Sequence, residues 1–107
     1  MANGESALTA PFEFKGMDKL FRSLAMKILS HLQYGTLVLT EQGRMVAQFG
    51  QKHSDLRAEI DVKKPGFYRG LLVGGSIGAA ELYIDKTWDT NDLTAVIQIF
   101  ARNLPAL

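Results

Sequence analysis

Leu56-Arg57-Ala58-Glu59-Ile60-Asp61-Val62 decides the fold. Apolar and charged side chains alternate through it, and successive side chains of a strand point to opposite faces. The segment therefore predicts a strand with one buried face and one wet face. Lys63 and Lys64 leave its end and Pro65 follows. A proline has no N–H to lose at a helix start, so Phe67 to Val73 reads as a short helix behind it.

Working upstream, Thr36 to Thr40 and Arg44 to Phe49 are short, β-branched or apolar, and flank Glu41-Gln42-Gly43. They predict a hairpin. From Met17 the period changes: Leu20, Phe21, Leu24, Ile28, Leu29 and Leu32 recur at three- and four-residue steps, on one face of a helix ending near Tyr34-Gly35. Lys19, Arg22 and Lys27 fall on its other faces or flanks. This pattern fits a helix packed on a sheet, and it also fits an interfacial helix whose cations meet anionic headgroups. Residues 1–16, rich in Ala, Gly, Ser and Thr with Pro11, hold no sustained period and are expected to form a flexible leader, with Phe12 and Phe14 docking by alternation.

Downstream, Gly74, Gly75 and Gly78 predict a tight connection, and Ala79 to Ile84 a helical or irregular segment. Asp89 and Asp92 offer N-terminal caps for a last helix through Phe100, with Leu93, Val96, Ile97 and Phe100 as its buried stripe. Leu104-Pro105-Ala106-Leu107 reads as the start of a linker, leaving one domain over residues 17–103. The expected class is α+β, a small twisted and mostly antiparallel sheet covered by helices.

The chain of 107 residues, 47% hydrophobic, is of a size to bury one modest core. It has no cysteine, which excludes disulfides, thiolate metal sites and a cysteine nucleophile. Its net charge is +1, with ten Lys and Arg against seven Asp and Glu in residues 1–70 and two against four in residues 71–107. Such a mild tilt is ordinary solvated surface and gives no drive toward nucleic acid. No apolar run approaches the roughly 20 residues that span a bilayer, and Met1 to Ala10 lacks the pattern of a signal peptide. A cytoplasmic protein is expected, with any membrane contact peripheral and at the inner face.

Few residues read as chemistry. Gly70, Gly74, Gly75 and Gly78 have the wrong spacing for a nucleotide fingerprint and follow a helix rather than a strand, so a close-packed turn is preferred. Glu81, Asp85, Asp89 and Asp92 lack the alternation of an ion-binding loop, and no metal is assigned to them. His31 and His53 stand in different elements with no triad partners. Trp88 reads as a core or corner residue, because no basic, aromatic track accompanies it.

The segment from Gly74 to Leu93 resembles the N-terminal domain of the cyclopropane-fatty-acyl-phospholipid synthase family. It matches that family's pattern at Gly74, Gly75, Ser76, Gly78, Glu81, Tyr83, Asp85, Trp88, Asp89, Asp92 and Leu93. It departs at Leu82, where a small residue is usual, and at Lys86, where glycine is usual, which implies that the turn after Asp85 is made differently. The similarity extends over roughly residues 17–103.

The resemblance implies a fold like that of sterol carrier proteins. It also implies a domain without catalytic residues of its own, which binds phospholipid and positions acyl chains for methylene transfer by a separate S-adenosylmethionine domain. That cofactor is expected only in a full-length parent, and the methyltransferase domain is a partner in cis or in trans. On this reading Phe67, Leu71, Leu72, Tyr83, Trp88, Ile97 and Phe100 are expected to meet lipid, and Lys19, Arg22, Lys27, Lys63, Lys64 and Arg69 its headgroup. A homodimer is compatible with it. The alternatives are a free-standing carrier of apolar ligands and a protein-interaction module.

Overall fold

The computed structural model describes residues 14–107, so the readings made for residues 1–13, Phe12 included, lie outside the described residues. The elements run α1 (Met17–Leu29), β1 (Thr36–Glu41), β2 (Arg44–Gly50), β3 (Arg57–Val62), α2 (Phe67–Ile84), β4 (Trp88–Thr90) and α3 (Leu93–Asn103), followed by a 3-10 turn at Leu104–Ala106. The four strands form one sheet in the order β2-β1-β3-β4. β1 pairs antiparallel with β2, β3 pairs antiparallel with β4, and the central pair β1 and β3 is parallel. The domain is α+β with a mixed sheet.

The hairpin forms where the sequence predicts it. Gln42 and Gly43 take φ of 49° and 83°, and two successive positive φ values make a turn whose twist matches that of the flanking strands. In β3, Ala58, Ile60 and Val62 turn inward while Arg57 and Glu59 face water. They meet Leu37 and Leu39 of β1, Ala25 and Leu29 of α1, Phe67 and Tyr68 of α2, and Ala95, Val96 and Ile99 of α3 in one buried cluster. Burying a side chain of this size contributes about 1.5–3 kcal/mol, so the inner residues of the two central strands anchor the domain.

Two helices bury a different strip from the predicted one. α1 stops at Leu29 and buries Ala25 and Leu29 with Phe21 half-covered, leaving Leu20, Leu24 and Ile28 exposed. Its apolar arc is wider than the surface that the sheet and α2 offer, so only one side of the arc is covered. α3 buries Ala95, Val96, Ile99 and Asn103, while Leu93 and Ile97 face outward and Phe100 is half-buried. Asn103 sets that rotation. Its Oδ1 accepts from the backbone N–H groups of Gln33 (2.7 Å) and Tyr34 (3.0 Å), and its Nδ2 donates to the carbonyls of Tyr34 (2.9 Å) and Ile99 (2.7 Å). A buried amide with four partners is held more firmly than an apolar stripe is by its neighbours.

Capping is divided differently too. Asp92 is the N-cap of α3 and accepts from the Ala95 N–H at 3.0 Å. Asp89 caps nothing; it lies in β4, an unpredicted three-residue strand paired with the end of β3.

Candidate functional site

α2 is two helical pieces joined at Gly75, whose φ of 58° and ψ of −141° break the helix. The pieces fold onto one another across glycine. A Cβ on Gly78 would lie 2.7 Å from the Gly70 carbonyl oxygen, and one on Gly70 would run into Leu82 Cδ1. Close packing at Gly70 and Gly78 and positive φ at Gly75 thus account for three glycines without a ligand. This fold-back brings the second piece over β4, where Trp88 Nε1–H donates to the Ala79 carbonyl at 2.9 Å. The rings of Tyr83 and Trp88 stand 5.0 Å apart, and those of Phe67 and Trp88 6.0 Å.

The second piece ends in a tight turn. The Lys86 N–H bonds to the Tyr83 carbonyl and the Thr87 N–H to the Leu82 carbonyl, the paired bonds of a Schellman motif, with Lys86 at φ 62° in the position that glycine favours. The conformation at Lys86 is therefore the one a glycine would supply, although the residue differs. The turn throws Lys86 to the rim of an open cleft of about 660 Å³ lined by Lys63, Tyr83, Ile84, Lys86, Trp88 and Asp89.

The charges around the cleft are nearly balanced. Asp61 and Asp89 stand directly opposite on β3 and β4, a repulsive pairing by itself. Lys63 relieves it, with Nζ 2.7 Å from Asp61. That hydrogen bond and charge, helped by Asp89 and opposed by slight burial, hold the Lys63 ammonium above its ordinary pKa. Burial works to raise the Asp61 carboxyl, but hydrogen bonds from Lys63, Thr40 and the Gly43 N–H outweigh it and leave the group below the usual carboxylate range. The cleft offers the Lys86 ammonium, the Lys63 ammonium already paired with Asp61, the Asp89 carboxylate and an aromatic and aliphatic floor. Such a surface can receive a charged head joined to an apolar body.

The residues expected at a lipid site are divided among several places. Phe67 and Trp88 are buried in the core, and Leu71, Leu72, Tyr83 and Phe100 pack half-buried against it. Ile97 is exposed on the outer side of α3. Lys19 and Lys27 are exposed on α1, Lys64 is exposed beyond β3, and Arg69 lies over the Phe21 ring at 5.9 Å. Arg22 is engaged elsewhere: its Nε and a terminal nitrogen donate to the two Glu41 carboxylate oxygens at 2.7 and 3.1 Å. The Tyr68 hydroxyl donates to the same carboxylate at 2.6 Å. Hydrogen bonding to Glu41 outweighs burial and raises the Arg22 pKa; burial, followed by the Glu41 bond, raises the Tyr68 phenol well above its ordinary value. This cluster ties α1 and α2 to the end of β1.

Of the expected residues, the cleft gathers Lys63, Tyr83 and Trp88. Ile84, Lys86 and Asp89 join them without any lipid signature in the sequence, where the lysine at position 86 is the one signal that points to that turn. A second depression of about 510 Å³ runs along α2 over Gly70, Gly74 and Gly78, between Val73, Leu82 and the carboxylates of Glu81 and Asp85. Among the described residues no group of three or more His, Asp or Glu is placed to hold a metal ion, and no helix is long and apolar enough to cross a membrane.

The fold and the cleft define a small α+β domain with an amphipathic surface site. No family model matches the chain, and neither the curated proteins nor the solved structures include a match to it.

Proposed function

We propose that this chain is a non-catalytic lipid-binding domain that takes the headgroup end of a phospholipid at the Lys63–Lys86 cleft. It would act beside a separate S-adenosylmethionine-dependent domain, as the resemblance to cyclopropane-fatty-acyl-phospholipid synthases implies. The observation that carries the reading is the meeting of Lys63 and Lys86 with Tyr83 and Trp88 in one cleft. Phosphate would be held by the Lys86 ammonium, with the Asp61-paired Lys63 lending a further N–H. An amine on the headgroup would face Asp89, and the first carbons of the lipid would lie on Tyr83 and Ile84, above the buried Trp88.

The aromatic packing of Phe67, Tyr68, Tyr83 and Trp88 occupies the space between α2 and the sheet, which favours a surface seat over the enclosed pocket of a free-standing carrier. Trp88 is the single tryptophan, so the cleft carries its own reporter. Titration with a lysophospholipid below its micelle concentration should change Trp88 emission saturably, and Lys86→Glu should weaken the response about tenfold, the loss of one charge-assisted hydrogen bond. An emission unchanged by lipid, with no lipid adduct in native mass spectra, would sink the proposal.

A further inference from the structure

We infer that α1 is an interfacial helix whose outer stripe lies in the surface of an anionic lipid bilayer. The site is separate from the cleft, and the inference stands or fails independently of the lipid reading made there.

Met17, Leu20, Leu24 and Ile28 follow one another at steps of three, four and four residues, which aligns them along one side of the helix. All four are exposed, at 60%, 51%, 42% and 39%. Isolated exposed apolar residues are ordinary, but a line of four along one helix is a contact surface. The adjoining side of α1 is already fixed. Ala25 and Leu29 are in the core, Arg22 is bound to Glu41, and Phe21 lies under Arg69. The helix can therefore meet a second surface without leaving the first.

Charge selects the occupant. α1 carries Lys19, Arg22 and Lys27 against the single acid Asp18. With Arg22 held by Glu41, Lys19 and Lys27 remain, both exposed, Lys27 beside the stripe and Lys19 on the polar side of the helix turned away from it. A helix lying in the interface plane immerses its apolar side by about 5–10 Å, and the long stems of lysine let their ammonium groups reach phosphate level. Each lysine near an anionic leaflet strengthens binding about fivefold. The stripe contains no polar side chain that would need a partner in the acyl region.

The test is flotation of the full chain with vesicles of phosphatidylcholine, with and without phosphatidylglycerol. Two variants accompany it, Leu20→Ser with Leu24→Ser, and Lys19→Glu with Lys27→Glu. These positions are exposed, so circular dichroism and melting should show both variants folded. The wild-type chain should float with anionic vesicles, the leucine pair should lose more than tenfold in partitioning, and the lysine pair should lose a similar amount together with its salt dependence. Absence of flotation, variants that float like the wild type, or equal binding to neutral vesicles would each overturn the inference. So would a wild-type dimer in sedimentation that the leucine pair dissociates and that ignores vesicles, because a second copy would then cover the stripe. The lysophospholipid titration of Trp88 reads the cleft in the same variants and should be unchanged.

Discussion

The Gly70 carbonyl oxygen stands where a side chain on Gly78 would begin, 2.7 Å from the Cβ that any other residue would place there. Because the obstacle is backbone, relief would require the two pieces of α2 to separate, and Trp88 is bonded to the second piece. Gly78→Ala should cost about 2–3 kcal/mol, the upper range for overpacking. Gly70→Ala meets the movable end of Leu82 and should cost less, about 1–2 kcal/mol. Gly74 has nothing within 4 Å of its would-be Cβ, so Gly74→Ala should stabilise by about 0.5–1 kcal/mol. Thermal melts of the three variants would check that order; a Gly78→Ala protein as stable as the wild type would mean that the crossing is looser than drawn.

The strands were legible in the sequence because a half-buried strand leaves a period of two, and β3 and the hairpin are where that period and the Gly43 turn are clearest. The helices were legible in position but not in rotation. In α1 and α3 the apolar arc exceeds the covered area, and nothing local says which part of the arc the sheet will meet. β4 escaped because three residues hold too little pattern, and Asp89 with Asp92 read equally well as caps. The cleft was half legible. Lys63, Tyr83 and Trp88 carry chemistry by type, whereas Lys86 and Asp89 come to the cleft through a helix-ending turn and a strand register that no local pattern displays. Glu41, Arg22 and Tyr68 are distant in sequence, and only the tertiary fold joins them.

Asn103 supplies the second prediction. Asn103→Ala would leave the N–H groups of Gln33 and Tyr34 and the Tyr34 carbonyl without their partner at a buried site, while the Ile99 carbonyl keeps its helical bond. A loss of about 3 kcal/mol or more is expected, since each stranded buried group costs about 1–3 kcal/mol before any compensation by water. Asn103→Asp keeps the acceptor but sets a carboxylate oxygen against the Tyr34 and Ile99 carbonyls, and should also destabilise. Denaturant titration would read both; an aspartate variant of wild-type stability would show that the Nδ2 bonds contribute nothing.

Stability should fall at both ends of the pH range for identifiable reasons. Tyr68 is held neutral in the fold, by burial first and by its bond to Glu41 second, so its folded pKa lies above the unfolded value near 10. A raised acid favours the native state below the unfolded pKa, and that contribution is lost as pH climbs above about 10. Asp61 has the opposite sign: its folded pKa is depressed, so its contribution is present above the unfolded value and is lost as pH falls below about 4. Tyr68→Phe should flatten the alkaline limb and Asp61→Asn the acid limb, with Tyr68→Phe also costing about 1.5–3 kcal/mol at neutral pH for the lost bond to a charged acceptor. Urea unfolding across pH would test each, and an alkaline limb unchanged in Tyr68→Phe would assign it to other groups.

Lys86 links stability to the cleft, and the two should move in opposite directions. Its φ of 62° places a side chain in the left-handed region, at a cost of about 1–2 kcal/mol for an ordinary L-residue. Glycine would remove that strain, although its freer unfolded chain returns part of the gain. Lys86→Gly should therefore raise stability by about 0.5–1 kcal/mol while keeping the paired bonds from residues 86 and 87 to the Tyr83 and Leu82 carbonyls. The same change removes an ammonium from the cleft and should weaken lysophospholipid binding. Lys86→Asn separates the effects further, since asparagine tolerates this conformation better than lysine and carries no charge. A glycine variant that gained stability with undiminished affinity would leave the lysine's strain in place for no purpose at this cleft, and headgroup recognition would have to be sought at Lys63 alone.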